Sequence, residues 1–430
     1  MKLAIIGLLL LLALVFVLLK GYVSPPVAFI ALPLVAALIA GCNLEQIAEF
    51  MTTGARSVLN TTVLFVFSIS YFSLMSEAGL FDPVINWLTK RVGTNVYLVM
   101  YAIAAAAVVG HLDGSGSTTY LIVIPAFLPL CKRLHIRPIS IFTTMAMILS
   151  WENLIPWGGP TMRAATVLEM EPGDYFAVLL PRMAIMAAVG LVLIFLIARS
   201  EVKNGAGQNV EAAAVVENTD KVFVIGWKYW FNLALTVATI VILFLDTPLP
   251  LFGVFMIAYI IALVVNYPNE SDQRKMLKKF GEGSINMTVT LLSVGIFLGV
   301  LNGAGMMEGL SEVVVSLVPT SIGRLVLVVF ALLSMLIFPA LGTDAFYFGF
   351  LPLVISAVAP YGVPEATIAS TLALTSWTGI LSPAVAATYL ALGLLDCSFA
   401  DHVKYSTKYL VLGSLASLVI GILLGMVPVF

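Results

Sequence analysis

Long apolar blocks separated by short polar segments dominate the chain, a pattern typical of membrane-spanning helices. A helix needs about 20 predominantly apolar residues to cross a bilayer, so each long block predicts one span. The continuous spans predicted in the first half are 3–19, 26–41, 57–76 and 176–198. Those predicted in the second half are 226–245, 250–265, 284–301 and 407–427, with charged loops at 274–279 and 308–312.

A polar, glycine-rich stretch, 113–120 (DGSGSTTY), separates two shorter apolar runs at 96–110 and 121–130. Neither run is long enough to span comfortably, so we expect a re-entrant hairpin whose tip lies inside the membrane. Basic residues such as Lys90 and Arg133 flank it at both ends, which predicts entry and exit on the cytoplasmic face. The alternative is an ordinary polar loop outside the membrane.

Residues 138–170 are long enough to span, but the segment 153–160 (NLIPWGGP) interrupts them. Its prolines and glycines remove intrahelical hydrogen bonds, so we expect a broken helix that is unwound at mid-depth. The second half repeats this order, with a second hairpin at about 324–360 and a second broken span at about 365–396.

The two halves align at a single shift of 226 residues. The matches are Ala78-Gly79 with Ala304-Gly305, Gly116 with Gly342, Ser117 with Thr343, Pro138 with Pro364, and Ser150-Trp151 with Ser376-Trp377. Each half has an odd number of crossings, so the second half is expected to be inverted, and most of the 21 basic residues then fall on one side. Inverted repeats with paired broken helices indicate a secondary transporter whose site lies at the midplane.

The predicted fold is an all-α polytopic membrane protein of two inverted repeats, each with five spans, a re-entrant hairpin and a broken helix. The predicted divisions are 1–200 for the first repeat, 201–222 for a cytoplasmic linker and 223–430 for the second repeat. With 61% hydrophobic and 10% charged residues, a water-soluble protein is excluded. The chain lacks a Walker loop, an HExxH motif and a nucleophile elbow, so we expect no enzyme, no resident cofactor and no nucleic-acid partner.

Four irregular segments are expected to converge around a polar solute: the first tip (113–119), the first break (153–161), the second tip (342–345) and the second break (378–388). The candidate substrate-binding residues are Gly114, Ser115, Gly116, Ser117, Thr118, Asn153, Gly158, Gly159, Thr161, Arg163, Gly342, Thr343, Ser382 and Thr388. They offer hydroxyls, backbone amides and one guanidinium fork, which suits carboxylates.

Asp113 and Asp344 are the only acids in the two tips. Acids at membrane depth usually bind a cation or carry a proton. Together with nearby hydroxyls, these two carboxylates would suit Mg²⁺ or Ca²⁺. The alternative is that each aspartate caps a hairpin helix. His111 is a candidate proton relay or a buried neutral histidine, and Glu152 is an alternative proton site. Arg163 could bind a substrate carboxylate, pair with Asp113, or form a salt bridge near the outer surface.

Four segments resemble the citrate–divalent metal:proton symporters of the CitMHS family in the ion transporter superfamily. They are 113–120 (DGSGSTTY), 128–134 (LPLCKRL), 156–165 (PWGGPTMRAA) and 342–349 (GTDAFYFG). The resemblance, which runs nearly end to end, implies proton symport of citrate complexed with Mg²⁺, Ca²⁺ or a similar ion across the cell (inner) membrane. It also implies a homodimer in which each protomer has a scaffold domain and a moving, elevator-type transport domain that carries both hairpins.

Two motifs depart from the family's usual pattern. Ser115 stands where the first tip usually has a second Asp, and 382–389 (SPAVAATY) lacks the first Thr and the second Pro of the usual SPLTPATY. The missing carboxylate leaves metal preference and coupling open, so a sodium-coupled di- or tricarboxylate transporter of the same fold is the alternative. An ion channel and a membrane-embedded enzyme are further alternatives, and the enzyme would lack a paired base and nucleophile.

Overall fold

The computed structural model describes residues 1–20, 22–208, 226–243, 245, 248–317, 325–383 and 385–429, and this part of the chain consists of helices, turns and irregular segments. The helices of the first half are α1 (Lys2–Lys20), α2 (Pro25–Ala40), α3 (Leu44–Ser57), α4 (Leu59–Glu77), α5 (Asp82–Arg91), α6 (Val96–Gly110), α7 (Gly116–Arg133), α8 (Pro138–Glu152), α9 (Gly159–Val167) and α10 (Pro172–Lys203). Those of the second half are α11 (Trp227–Leu243), α12 (Leu251–Asn266), α13 (Glu270–Gly303), α14 (Met306–Leu317), α15 (Leu325–Ala345), α16 (Leu351–Val358), α17 (Glu365–Leu374), α18 (Ala386–Leu394) and α19 (Phe399–Leu423). A π-helical turn (Phe346–Phe350) precedes α16, and 3₁₀ segments lie at Ala359–Tyr361 and Ser376–Leu381. The predicted all-α class is confirmed.

Several of these helices match the predicted spans. By length and composition, four helical stretches of the described residues could each cross a membrane: Leu59–Glu77, Pro172–Lys203, Leu325–Tyr361 and Phe399–Leu423. Shorter apolar helices, among them α2, α6, α11 and α12, cover other predicted spans or hairpin arms. These helices agree with the predicted polytopic membrane protein.

Local signals explain where several helices begin and end. In the capping box of α3, Asn43 Oδ1 accepts a hydrogen bond from Gln46 N (2.8 Å), and Gln46 Oε1 accepts one from Asn43 N (2.9 Å). A second capping box, between Ser398 and Asp401, opens α19. α2 ends at Gly41, whose left-handed backbone (φ 98°) favours a residue without a Cβ. Each of these boundaries follows from a signal within a few residues.

Two charged segments predicted to be loops are helical. The basic segment 274–279 lies inside α13, where Arg274 Nη2 is 2.6 Å from Glu270 Oε1. Opposite charges four residues apart lie on one helix face, so the same charges that indicated a loop support a helix. The acidic segment 308–312 lies inside α14, and the last span begins earlier than predicted, at Phe399.

Most of the helices fall into two groups. In the scaffold group (α2, α3, α4, α12 and α13), α13 packs against α2, α3 and α4, and α12 packs against α4. The site group comprises α6 to α10 and α15 to α19 with their π and 3₁₀ segments. In it, α10 packs against α6, α8, α17 and α19, and α18 packs against α7. α1 contacts both groups, through α2 and α15.

The scaffold group contains a close crossing of α3 and α13. A Cβ on Gly54 would overlap the backbone of Gly295 and Gly299, and a Cβ on Gly299 would overlap Phe50 O. Gly295, Gly299 and Gly303 follow one another at intervals of four, and such small residues let two membrane helices approach closely. The crossing therefore depends on the absence of side chains at these positions.

The site group is held at one end by a buried carboxylate. Glu201 accepts hydrogen bonds from Arg137 Nη2 (2.6 Å) and Ser140 Oγ (2.7 Å), and Tyr405 OH lies 3.4 Å away. These contacts join α8, α10 and α19, and nothing in the sequence pattern predicted them. The predicted linker 201–222 begins within α10 and lies outside the described residues from 209 onward.

Helix boundaries recur at the shift seen in the sequence. α2 and α12 begin at Pro25 and Leu251 and end at Ala40 and Asn266, so both boundaries are 226 residues apart. α13 is continuous where the first half has two helices, α3 and α4, separated at Val58. The inverted orientation of the halves stays a prediction.

Candidate functional site

The first hairpin consists of α6 and α7, joined by a short turn. α6 ends at Gly110, and Ser115 caps α7 by accepting hydrogen bonds at its Oγ from Thr118 N (3.3 Å) and Thr118 Oγ1 (3.0 Å). Asp113 Oδ1 accepts a hydrogen bond from Ser115 N (2.7 Å), and Gly114 takes a left-handed conformation (φ 69°). The predicted first tip is therefore a turn stabilised by its own side chains.

His111 and Trp157 attach this turn to the first break. The buried His111 ring places Nε2 2.9 Å from Asn153 Oδ1 and Nδ1 3.1 Å from Thr119 Oγ1. Trp157 Nε1 donates a hydrogen bond to Leu112 O (2.9 Å). Both ring nitrogens of His111 thus have partners, and one of these partners, Asn153, belongs to the first break.

The first break lies between α8 and α9, as the sequence predicted. A Cβ on Gly158 would overlap Asn153 O, and a Cβ on Gly159 would lie 2.8 Å from Arg163 Nη1. The two glycines therefore let the chain turn back on Asn153 and leave space for the arginine. Thr161 follows in the first turn of α9, fully buried.

An ion pair joins the first break to the second tip. Arg163 Nε donates a hydrogen bond to Asp344 Oδ1 at 2.8 Å, and the two side chains are 10% and 27% exposed. The observed partner, Asp344, lies in the other half of the chain. The pair brings together two candidate residues that are 181 positions apart.

The second tip is a kink at Gly342 where the chain folds back on itself, since the ring centroids of Phe330 and Phe350 on its two sides lie 6.0 Å apart. Gly342 has φ 70° and ψ 177° inside α15, a combination that is essentially restricted to glycine. Thr343 and Asp344 follow it, and the π-helical turn begins two residues later. Phe338 and Phe346 stack across the kink with ring centroids 4.2 Å apart.

The second break runs from the 3₁₀ segment Ser376–Leu381 to the start of α18. Ser382 and Thr388 are both buried there. His402 of α19 places Nε2 3.2 Å from Ile380 O and Nδ1 2.9 Å from Ser406 Oγ, which holds the 3₁₀ segment against α19.

A cavity of about 130 Å³ lies among these segments, and one water molecule needs only about 10–15 Å³ of such space. Its lining residues are Ser150, Asn153, Pro160, Phe338, Thr343, Tyr347, Ser376, Gly379, Ile380 and Val385. They come from the first break, the second tip, the second break and the helices beside them. The first tip contributes none of these ten and reaches the cavity through the contact of His111 with Asn153.

Among the described residues, several buried polar atoms around the breaks and the first tip have no hydrogen-bond partner. They include Asp113 Oδ2, Trp151 Nε1, Glu152 Oε2, Thr161 Oγ1, Thr378 Oγ1 and Thr388 Oγ1. Most buried polar groups in proteins are hydrogen-bonded, so unpaired atoms gathered around one region indicate where water, an ion or a substrate binds.

Sequence reasoning missed several residues that line the cavity, including Ser150, Tyr347 and Ser376. The repeat alignment had already matched Ser150 with Ser376, and that coincidence was the available signal. Among the described residues, no three His, Cys, Asp or Glu side chains gather as a resident metal centre would require.

Sequence comparisons with known proteins show the family, and a structural comparison shows a similar fold. The family profile of the CitMHS citrate transporters matches residues 2–379. A citrate transporter of Bacillus subtilis (strain 168) is 32% identical over 426 residues, which cover 99% of each chain. The Mg(2+)/citrate complex secondary transporter of the same organism is 31% identical over 439 residues, again 99% of each. The crystal structure of the Alcanivorax borkumensis YdaH transporter has a similar fold, with a TM-score of 0.59, 14% identity and 89% of each chain covered.

Proposed function

This chain belongs to the CitMHS family of citrate transporters, and we propose that it is a secondary active transporter that carries citrate as a complex with a divalent metal ion in symport with protons. The relative named as a Mg(2+)/citrate complex transporter supports the form of the substrate. The metal neutralises part of the citrate charge. Because the Born cost of entering a low-dielectric medium rises with the square of the charge, the complex crosses more easily than free citrate.

The main observation behind this proposal is the ion pair between Arg163 and Asp344, which lies beside a cavity whose lining residues are uncharged. Thr343, next to Asp344, and Pro160, one turn before Arg163, both line that cavity. A proton on Asp344 would weaken the pair and leave the Arg163 guanidinium to bind a citrate carboxylate through its fork. Proton uptake and substrate binding would then favour each other at one site.

The remaining candidates are proposed in the roles expected from the sequence. Asp113, with one unpaired oxygen, and His111, bonded to Asn153, are proposed to take part in coupling. Together with Asp344, Asp113 is also proposed to contact the metal that enters with citrate. The proposed substrate-binding groups are the amides and hydroxyls of Gly114, Ser115, Gly116, Ser117, Thr118, Gly158, Gly159, Thr161, Gly342, Thr343, Ser382 and Thr388, with Asn153 and Arg163.

We further propose that transport is elevator-type, with the site group moving against a scaffold that dimerises in the cell (inner) membrane. The close crossing of α3 and α13 supports a rigid scaffold, because the two backbones pack directly against each other at Gly54, Gly295 and Gly299. The recurrence of helix boundaries at 226 residues supports two inverted repeats of about 1–200 and 223–430. Such repeats usually place the substrate at their interface.

The test is uptake of radiolabelled citrate into proteoliposomes with an acidic exterior. We expect uptake with Mg²⁺ or Ca²⁺ present and little uptake with EDTA. Replacing Na⁺ by choline at fixed pH should leave uptake unchanged. If the chain were instead the second candidate, a sodium-coupled di- or tricarboxylate transporter, this replacement would abolish uptake. Uphill accumulation that saturates with citrate would exclude an ion channel. Equal uptake with and without EDTA would contradict the metal complex as substrate.

A further inference from the structure

All ten residues that line the cavity are uncharged. Two of them, Thr343 and Pro160, are close in sequence to the Arg163–Asp344 ion pair. Two others are serines, one from each half of the chain. A metal–citrate complex, which carries both carboxylates and a metal, meets partners of both kinds at this cavity.

The two serines occupy equivalent positions in the halves. Ser150 ends α8 just before the first break, and Ser376 opens the 3₁₀ segment of the second break, 226 residues later. Ser150 Oγ lies 3.5 Å from Trp377 O, so the two breaks meet beside the serines. Trp377 is fully buried and donates a hydrogen bond to Ser417 Oγ (3.2 Å). The main chain beside the two serines is therefore held in place by these contacts.

Both serine hydroxyls lie within hydrogen-bond distance of main-chain carbonyls, to which a hydroxyl can only donate. Ser150 Oγ donates to Ala146 O at 2.8 Å, and Ser376 Oγ donates to Ala373 O at 2.7 Å. A hydroxyl has one hydrogen and two acceptor lone pairs, so what each serine offers the cavity is an acceptor. Carboxylates are acceptors as well, which makes these two hydroxyls a poor match for citrate oxygens and a good match for a cation.

We infer that Ser150 and Ser376 receive the metal end of the metal–citrate complex, through their hydroxyl oxygens, and set its metal preference. This inference rests on the proposed function and adds two uncharged acceptors to the aspartates that are proposed there to contact the metal. Hydroxyl oxygens are hard ligands that suit Mg²⁺ and Ca²⁺. Because Mg²⁺ keeps several of its waters, the serines would accept hydrogen bonds from those waters rather than displace them.

The test compares Ser150→Ala, Ser376→Ala and the double variant in the proteoliposome assay, with the metal titrated at fixed citrate. The apparent KM for the metal should rise about tenfold in each single variant, with a larger rise in the double variant. Ser293→Ala and Ser356→Ala are matched controls. Their hydroxyls donate to Val289 O and Leu353 O in the same way but lie outside the cavity lining, so the apparent KM should not change.

A second measurement reports binding without transport. In a chain whose three cysteines (Cys42, Cys131 and Cys397) are replaced by alanine, Ser150→Cys gives a single thiol at the cavity. Mg²⁺ with citrate should slow its alkylation by a maleimide, and citrate with EDTA should slow it much less. Equal protection in both conditions would overturn the inference, as would an unchanged metal KM in the double alanine variant. A wild-type protein that takes up no citrate would instead overturn the proposed function.

Discussion

At the first hairpin tip, Asp113 accepts a hydrogen bond from the N–H of Ser115, two residues away, whereas at the second tip Asp344 is paired with Arg163 from the other half of the chain. Each tip contains a glycine with positive φ, Gly114 (69°) in the first and Gly342 (70°) in the second. Both tips thus interrupt a helix at a glycine, while their acidic side chains have different partners. One tip stabilises itself, and the other ties the halves together.

Arg163→Gln tests the contact that distinguishes the second tip, and it should have the largest effect. Removing one partner of a buried ion pair costs about 3–5 kcal/mol, and the 27% exposure of Asp344 reduces that figure. Citrate uptake should fall at least about 100-fold, because the substrate also loses the guanidinium fork. Arg163→Lys, which keeps the charge without the fork, should lose less. Initial rates equal to the wild type would refute the assigned role.

Asp344→Asn separates coupling from binding at the same tip. The amide fills the same space but cannot release a proton, so pH-driven uptake should fall about 30-fold while the protein stays folded in membranes. Citrate counterflow without a pH gradient should decline less. If pH-driven uptake persists at the wild-type rate, Asp344 has no part in coupling.

Asp113→Asn should have a smaller effect, because the first tip holds itself together. The amide oxygen of the new side chain can still accept the hydrogen bond from Ser115 N, so only the charge and the unpaired oxygen are changed. We expect about a tenfold loss of uptake. Asp113→Ala, which also removes the turn contact, should lose more than Asp113→Asn. An identical result for both variants would show that the turn bond is immaterial.

Gly342→Ala and Gly114→Ala compare the two backbones directly. Gly342 combines φ 70° with ψ 177°, where a side chain costs about 1–3 kcal/mol. A Cβ on Gly114 meets no other atom within 4 Å, which leaves only the left-handed strain of about 1–2 kcal/mol. The apparent melting temperature in detergent should therefore fall more for Gly342→Ala. The reverse order would mean that the first tip is the more constrained turn.

Local interruptions of the apolar pattern were readable from the sequence. Gly158, Gly159 and the prolines beside them predicted the first break, and the glycine-rich stretch 113–120 predicted the first tip. Glycine and proline change the backbone conformation locally, so their effect can be predicted from the sequence around them. The helical class and the family resemblance were likewise available before the structure, and both are confirmed.

Contacts between distant segments were not readable in the same way. The pairing of Arg163 with Asp344 and the burial of Glu201 depend on tertiary packing, and a single sequence contains no periodic signal for them. The charged segment 274–279 misled the prediction for another reason. Charges spaced along one helix face resemble a solvated loop when they are read one by one.

The buried carboxylate of Glu201 has a consequence for how the protein is made. Its partner Tyr405 is synthesised 204 residues later, so α8 and α10 enter the membrane before α19 exists. Until then Glu201 has only Arg137 and Ser140 to satisfy it. The first half therefore completes its packing only after α19 has been synthesised. A truncation that removes α19 would leave α8 and α10, which insert much earlier, without one of the partners of Glu201.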